Sequence, residues 1–137
     1  MILPGAYFAH MSRNLLLPAV LLIIAAGCST QHHVASKHPN GKPEVVIYTQ
    51  GKGDQAVKVM EKVYYPNGKI DYVGHFKDGK EHGEWLYYYE DGTLKFKENW
   101  VDGLEDGVQV EYAPDGQPYI EKYYEKGRLV RTVDKSK

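Results

Sequence analysis

The strongest constraint on how this chain can fold is a phrase that recurs at fixed spacing. Tyr64-Tyr65-Pro66-Asn67-Gly68-Lys69 returns as Tyr88-Tyr89-Glu90-Asp91-Gly92-Thr93 and as Tyr112-Ala113-Pro114-Asp115-Gly116-Gln117, so Gly68, Gly92 and Gly116 stand 24 residues apart. A second series, Gly79, Gly103 and Gly127, keeps the same interval behind Asp78, Asp102 and Lys126. A short fixed period means stacked supersecondary units, each of which buries its apolar side only with its neighbours' help. A degenerate earlier copy begins at Pro39-Asn40-Gly41-Lys42, set 27 residues before its counterpart, which places an insertion near Gly51-Lys52-Gly53.

The unit is a β-hairpin. Twelve tyrosines in 137 residues favour strands, and Pro-Asn-Gly and Pro-Asp-Gly favour tight turns. Proline suits the first corner of a type I turn, and the glycine takes the left-handed position that closes a bulged three-residue loop. That loop sets Tyr88 opposite Leu94 and Tyr112 opposite Pro118. Strict alternation then sets Leu86 opposite Phe96 and Val110 opposite Ile120, whereas a two-residue loop would oppose Leu86 to Lys97. On this register one face, with Met60, Tyr72, Phe76, Leu86, Phe96, Trp100, Val110 and Ile120, is the core stripe. The other, with Tyr65, Trp85, Tyr87, Tyr89, Tyr119 and Tyr123 among His75, Lys97, Gln109 and Glu111, is a wet aromatic face and the candidate binding surface. The expected fold is all-β: an elongated, twisted, single-layer antiparallel meander of about eight strands with a 24-residue period, spanning residues 39–137 and without helices.

The first 27 residues read as an address. Leu15 to Ala26 is a short apolar run behind Arg13, too short for a bilayer, which needs about 20 residues. It ends in Ala25-Ala26-Gly27-Cys28, which resembles the lipobox of bacterial lipoproteins. The resemblance implies cleavage between Gly27 and Cys28 and acylation of Cys28, the only cysteine in the chain. Two or three acyl chains make a stable anchor where one does not. Met11 fits as the true start, because no positive charge precedes it except His10 when protonated. Ser29 after the cysteine resembles lipoproteins sent on to the outer membrane. Polar residues 29–38 are expected to be a flexible tether; His32, His33 and His38 lie in it, with no acid or cysteine to complete a metal site.

Composition removes most chemistry. Between Gly41 and Lys135 there is no serine or cysteine, and the only histidines are His75 and His82, so nucleophilic triads and zinc clusters have no parts to use. Gly51-Lys52-Gly53-Asp54-Gln55-Ala56 imitates a dinucleotide-binding turn, but Val57-Lys58-Val59 behind it alternates like a strand where a helix is required. A net charge of −1 favours neither nucleic acid nor anionic lipid. No catalytic residue, metal or cofactor is expected.

The middle of the chain carries a family resemblance. Gly83-Glu84-Trp85-Leu86-Tyr87-Tyr88-Tyr89-Glu90-Asp91-Gly92 followed by Trp100-Val101-Asp102-Gly103 resembles the MORN-repeat variant of bacterial proteins, some of which are grouped as antitoxin-like. The resemblance implies hairpin repeats used for binding or scaffolding, with no catalytic residue to carry over. The expectation is a non-enzymatic, membrane-anchored lipoprotein of the bacterial envelope that binds a protein partner. Neutralisation of an exported toxin, and glycan binding on a Trp85, Tyr87 and Tyr89 platform, are the alternatives.

Overall fold

The computed structural model describes residues 29–137. The signal segment 1–27, its cleavage at Gly27 and the acylation at Cys28 lie outside the described residues. The strands are β1 (Thr30–Lys37), β2 (Pro43–Gln50), β3 (Val57–Tyr64), β4 (Ile70–Lys77), β5 (Lys80–Glu81), β6 (Gly83–Tyr88), β7 (Leu94–Val101), β8 (Leu104–Glu105), β9 (Gly107–Tyr112), β10 (Pro118–Glu125) and β11 (Arg128–Asp134). They form one antiparallel sheet in the order β1-β2-β3-β4-β6-β7-β9-β10-β11, with the two-residue strands β5 and β8 beside β4 and β7. Every connection joins neighbours, as an array of hairpins must, and the sheet stays open between edges β1 and β11. A single 3-10 turn, Gly53–Gln55, is the only helical element among the described residues and fills the 51–56 insertion.

Two kinds of turn alternate along the array, one at each end of the strands. At the long-turn end the Tyr65 N–H donates to Lys69 O and the Gly68 N–H to Tyr65 O, both at 2.8 Å, and Gly68, Gly92 and Gly116 sit at φ between 82° and 93°. This is the bulged three-residue loop expected from Pro-Asn-Gly. The side chains of Asn40, Asn67, Asp91 and Asp115 each accept the backbone N–H two residues on, which locks the corner. At the tight-turn end Asp78-Gly79, Asp102-Gly103 and Lys126-Gly127 have positive φ at both positions. That is the two-residue type I′ hairpin, whose twist matches the strands.

The register differs from simple alternation, and the difference decides which face is the core. Tyr88 pairs with Leu94 and Tyr112 with Pro118 as expected, but Leu86 pairs with Lys97, and Val110 with Glu121. A bulge intervenes one step from each of the last three long turns, between Ile70 and Tyr72 on β4, between Leu94 and Phe96 on β7 and between Pro118 and Ile120 on β10. The extra residues are Asp71, Lys95 and Tyr119, again 24 apart. Two residues then oppose one, and every side chain beyond the bulge moves to the other face.

One face therefore gathers Tyr72, Phe76, Trp85, Tyr87, Phe96 and Trp100, which alternation had divided between core and solvent. The Trp85 ring stacks on Tyr72 at 6.0 Å and 13°, meets Phe76 edge-on at 5.3 Å, and lies 6.4 Å from Trp100. Its ring covers Gly74, where a side chain would collide with it, and its Nε1–H donates to His75 O at 3.1 Å. Only 8% of Trp85 is exposed. Leu86, Val110 and Met60 turn to the opposite face, in register with Lys97, Glu121 and His75.

Residues 30–37 are a second correction. Instead of a tether they form β1, paired with β2 along its whole length. His38 takes the place in its turn that Tyr65 and Tyr89 take in theirs, and its Nε2 donates to Tyr64 O at 2.6 Å. The His32 ring rests 5.4 Å from Tyr48, and Ser36 donates to Glu44. These contacts, with the backbone ladder, give a polar edge strand enough partners to be ordered.

Candidate functional site

The long-turn ends are stitched to one another. The Tyr65 hydroxyl donates to Tyr88 O at 2.7 Å, and the Tyr89 hydroxyl to Tyr112 O at 3.0 Å. Asn67 and Lys69 reach Glu90 O and Asp91 O in the same way. Ala113 holds the next equivalent position, and the series ends there. Tyr65 and Tyr89, expected on a free binding face, thus spend their donors on the neighbouring repeat. Burial and the adjacent Asp71 carboxylate push the Tyr65 phenol up to about 12.

Beside this seam lies an open cavity of about 320 Å³, lined by Asp71, Tyr87, Tyr89, Lys95, Phe96, Glu111 and Tyr119. The bulges build it. Lys95 and Phe96 are consecutive yet both line the cavity, which a regular strand forbids and a bulge permits. Asp71, Lys95 and Tyr119 occupy the same repeat position, so one backbone irregularity supplies an acid, a base and a phenol in turn.

Most polar atoms of the lining are already committed. Tyr119 donates to Glu111 Oε2 at 2.9 Å, and Lys122 donates to Glu111 Oε1 at 2.7 Å; the Lys122 bond, opposed by burial, holds the Glu111 carboxyl below its ordinary range. Deeper in the face, the buried Glu98 accepts from Trp100 Nε1 at 2.9 Å and from Gln109 Nε2 at 3.1 Å, with the Tyr87 hydroxyl at 3.4 Å. Burial, then the Glu98 charge, raises the Tyr87 phenol above its normal value. Lys95 makes no salt bridge among the described residues, and its Nζ stands 5.5 Å from the Tyr89 ring centroid. The cavity therefore offers aromatic surface together with one acid and one base, Asp71 and Lys95, that no ion pair among the described residues neutralises.

Of the six residues expected to form a binding face, Tyr87, Tyr89 and Tyr119 come together here. Trp85 is core and cannot serve as an open stacking platform. Tyr65 belongs to the turn seam, and Tyr123 faces the other side of the sheet beneath Arg131, 3.8 Å away. Alternation alone does not find Asp71, Lys95 and Phe96, because the bulge that aims them is invisible to it. Gly79, Gly103 and Gly127, like Gly68, Gly92 and Gly116, have positive φ, as their turn roles require.

This architecture, an open single-layer sheet of stacked hairpins with two alternating turn types, defines a β-hairpin repeat protein. Residues 60–78, 81–102 and 105–129 match the MORN repeat variant, and residues 60–129 belong to that family. The copy that begins at Pro39 lies outside the match but shares its turn geometry, with Gly41 at φ 82° and Asn40 donating to Pro66 O. No curated protein matches the sequence. Among solved structures, a point mutant of S. aureus TarM, crystallised with fondaparinux, α-GlcNAc-glycerol and UDP, is similar over 77% of this chain and 20% of its own, at 20% identity and a TM-score of 0.47. The chain spans about a fifth of that protein's length, and nothing about activity follows from the likeness.

Proposed function

We propose that this protein is a non-enzymatic envelope lipoprotein, anchored through acylated Cys28, whose repeat sheet presents a binding surface to a protein partner. The cavity between successive repeats is the observation that carries the reading. It joins three tyrosine rings to Asp71 and Lys95, and aromatic side chains ringed by charge are what protein interfaces use as anchors. Repeats are suited to this role because each added unit extends the surface without altering the fold. Capture of an exported toxin is one form of the same activity. A sugar ring also fits a lining of phenols beside an acid and a base, and it is the second reading.

The test uses cells making the wild-type chain, Cys28→Ala, and Lys95→Glu with Tyr119→Ala. Under the proposal, wild type sediments with membranes and carries an acyl mass at Cys28, Cys28→Ala becomes a precursor or a soluble protein, and the cavity variant stays anchored but loses its partner. Equal solubility of wild type and Cys28→Ala ends the lipoprotein reading. Partner capture that survives the cavity variant ends the assignment of the site. A glycan panel run on the purified wild type separates the second reading from the first.

A further inference from the structure

We infer that the tight-turn end of the sheet is its membrane-facing edge, seated on the outer surface of the lipid layer, with the cavity held away from it. The inference rests on the proposed acylation of Cys28 and adds what that anchor does to the domain. Strand β1 begins at Thr30, two residues after Cys28. Two residues span at most about 7 Å, so an acylated cysteine would bring the start of β1 against the headgroups. Thr30 pairs with Gln50, next to the 51–56 loop, and this places it in the row that also holds Gly79, Gly103 and Gly127.

That same end carries exposed apolar side chains. Val57 is 56% exposed, Val101 46% and Leu104 50%, and Val101 and Leu104 flank the Asp102-Gly103 tip. The other exposed large hydrophobics among the described residues lie within β1 and β11, while the long-turn tips present Asn40, Asn67, Glu90, Asp91 and Asp115. Exposed large apolar side chains thus stand among the charges of the tight-turn end and are missing from the long-turn tips, and the anchor enters at the end that has them. Charge does not drive the contact, because the basic Lys52, Lys77, Lys80, Lys126 and Arg128 at this end are outnumbered by Asp54, Asp78, Glu81, Asp102, Glu105, Asp106 and Glu125. A few valine and leucine side chains would not hold a free protein on a bilayer. Once the acyl chains fix the domain beside the surface the contact is intramolecular, and small apolar tips suffice to choose an orientation. The strand β7 runs from beside Lys95 to Val101, which lifts the cavity roughly 20 Å along the strand from the tight-turn edge.

The test labels the full chain, purified as the acylated protein so that Cys28 is blocked, at one introduced cysteine: Leu104→Cys at the tight-turn end or Glu90→Cys at the other. Each carries an environment-sensitive fluorophore and is placed in phosphatidylcholine vesicles containing nitroxide-labelled lipid. The expected result is loss of emission at position 104 and none at 90, unchanged by high salt. Equal quenching at both positions, or stronger quenching at 90, overturns the orientation while leaving the anchor intact. Absence of an acyl mass on Cys28 overturns the anchor reading and this inference with it. Quenching at 104 that salt abolishes also overturns it, since the contact would then be ionic.

Discussion

Gly74→Ala tests which face is the core, and its sign alone decides. A Cβ built on Gly74 would lie 2.7 Å from the Cη2 and Cζ3 atoms of Trp85 and 2.8 Å from Cε2. Ordinary contact begins near 3.5 Å, so the indole must retreat by about 0.8 Å. It has little room to do so, because Tyr72 lies parallel to it, Phe76 abuts it edge-on, and its Nε1–H is tied to His75 O. Overpacking of this kind costs about 1 to 3 kcal/mol, and weakening the indole hydrogen bond adds about 0.5 to 1.5 kcal/mol. If Trp85 instead stood on an open face, the same substitution would remove backbone freedom from the unfolded chain and stabilise by about 0.4 to 1 kcal/mol. Urea unfolding followed by tryptophan fluorescence and circular dichroism measures the difference. Adding Trp85→Phe to Gly74→Ala should recover part of the loss by shrinking the ring. A Gly74→Ala protein as stable as wild type, or more so, refutes the burial of Trp85 against β4.

Two further outcomes follow from the hydrogen bonds. Tyr89→Phe removes the donor to Tyr112 O and should destabilise by about 0.5 to 1.5 kcal/mol in the same unfolding assay, with no loss of strand signal; an unchanged midpoint would mean the seam between repeats contributes nothing. The pH dependence is alkaline. Burial, followed by Asp71 at Tyr65, Glu61 at Tyr72 and Glu98 at Tyr87, raises all three phenols in the fold. A raised folded value means that the stability these phenols contribute is complete below the unfolded value of about 10 and is lost as pH climbs through the folded values, about 12 for Tyr65. Tyrosinate absorbance should therefore rise in two stages, exposed phenols first and these three together with unfolding; a single titration near the free value would contradict it.

The turns were legible in the sequence because their chemistry is local. Pro-Asn-Gly and Asp-Gly name their own backbone conformations, and the 24-residue interval fixes how the hairpins follow one another. The faces were not legible, because a bulge at Asp71, Lys95 or Tyr119 leaves no mark in a pattern of apolar residues, yet reverses the meaning of every position after it. One signal was present. A glycine inside a strand often marks close approach of a large group, and Gly74 in β4 is where Trp85 lies. β1 was also implied, since Pro39-Asn40-Gly41-Lys42 read as a hairpin turn demands a strand on each side. Polar composition hid it, because an edge strand can be held by backbone bonds with few buried side chains.

The central claim, that the cavity between repeats is where a partner docks, is tested most directly by photo-crosslinking in living cells. A photoreactive residue replaces either Lys95, which lines the cavity, or Lys97, two positions along β7 and opposite Leu86 on the other face. The account predicts a discrete adduct from position 95 that disappears when Tyr119→Ala is added, and no adduct from position 97. Adducts of equal yield from both positions, or none from 95, would contradict it.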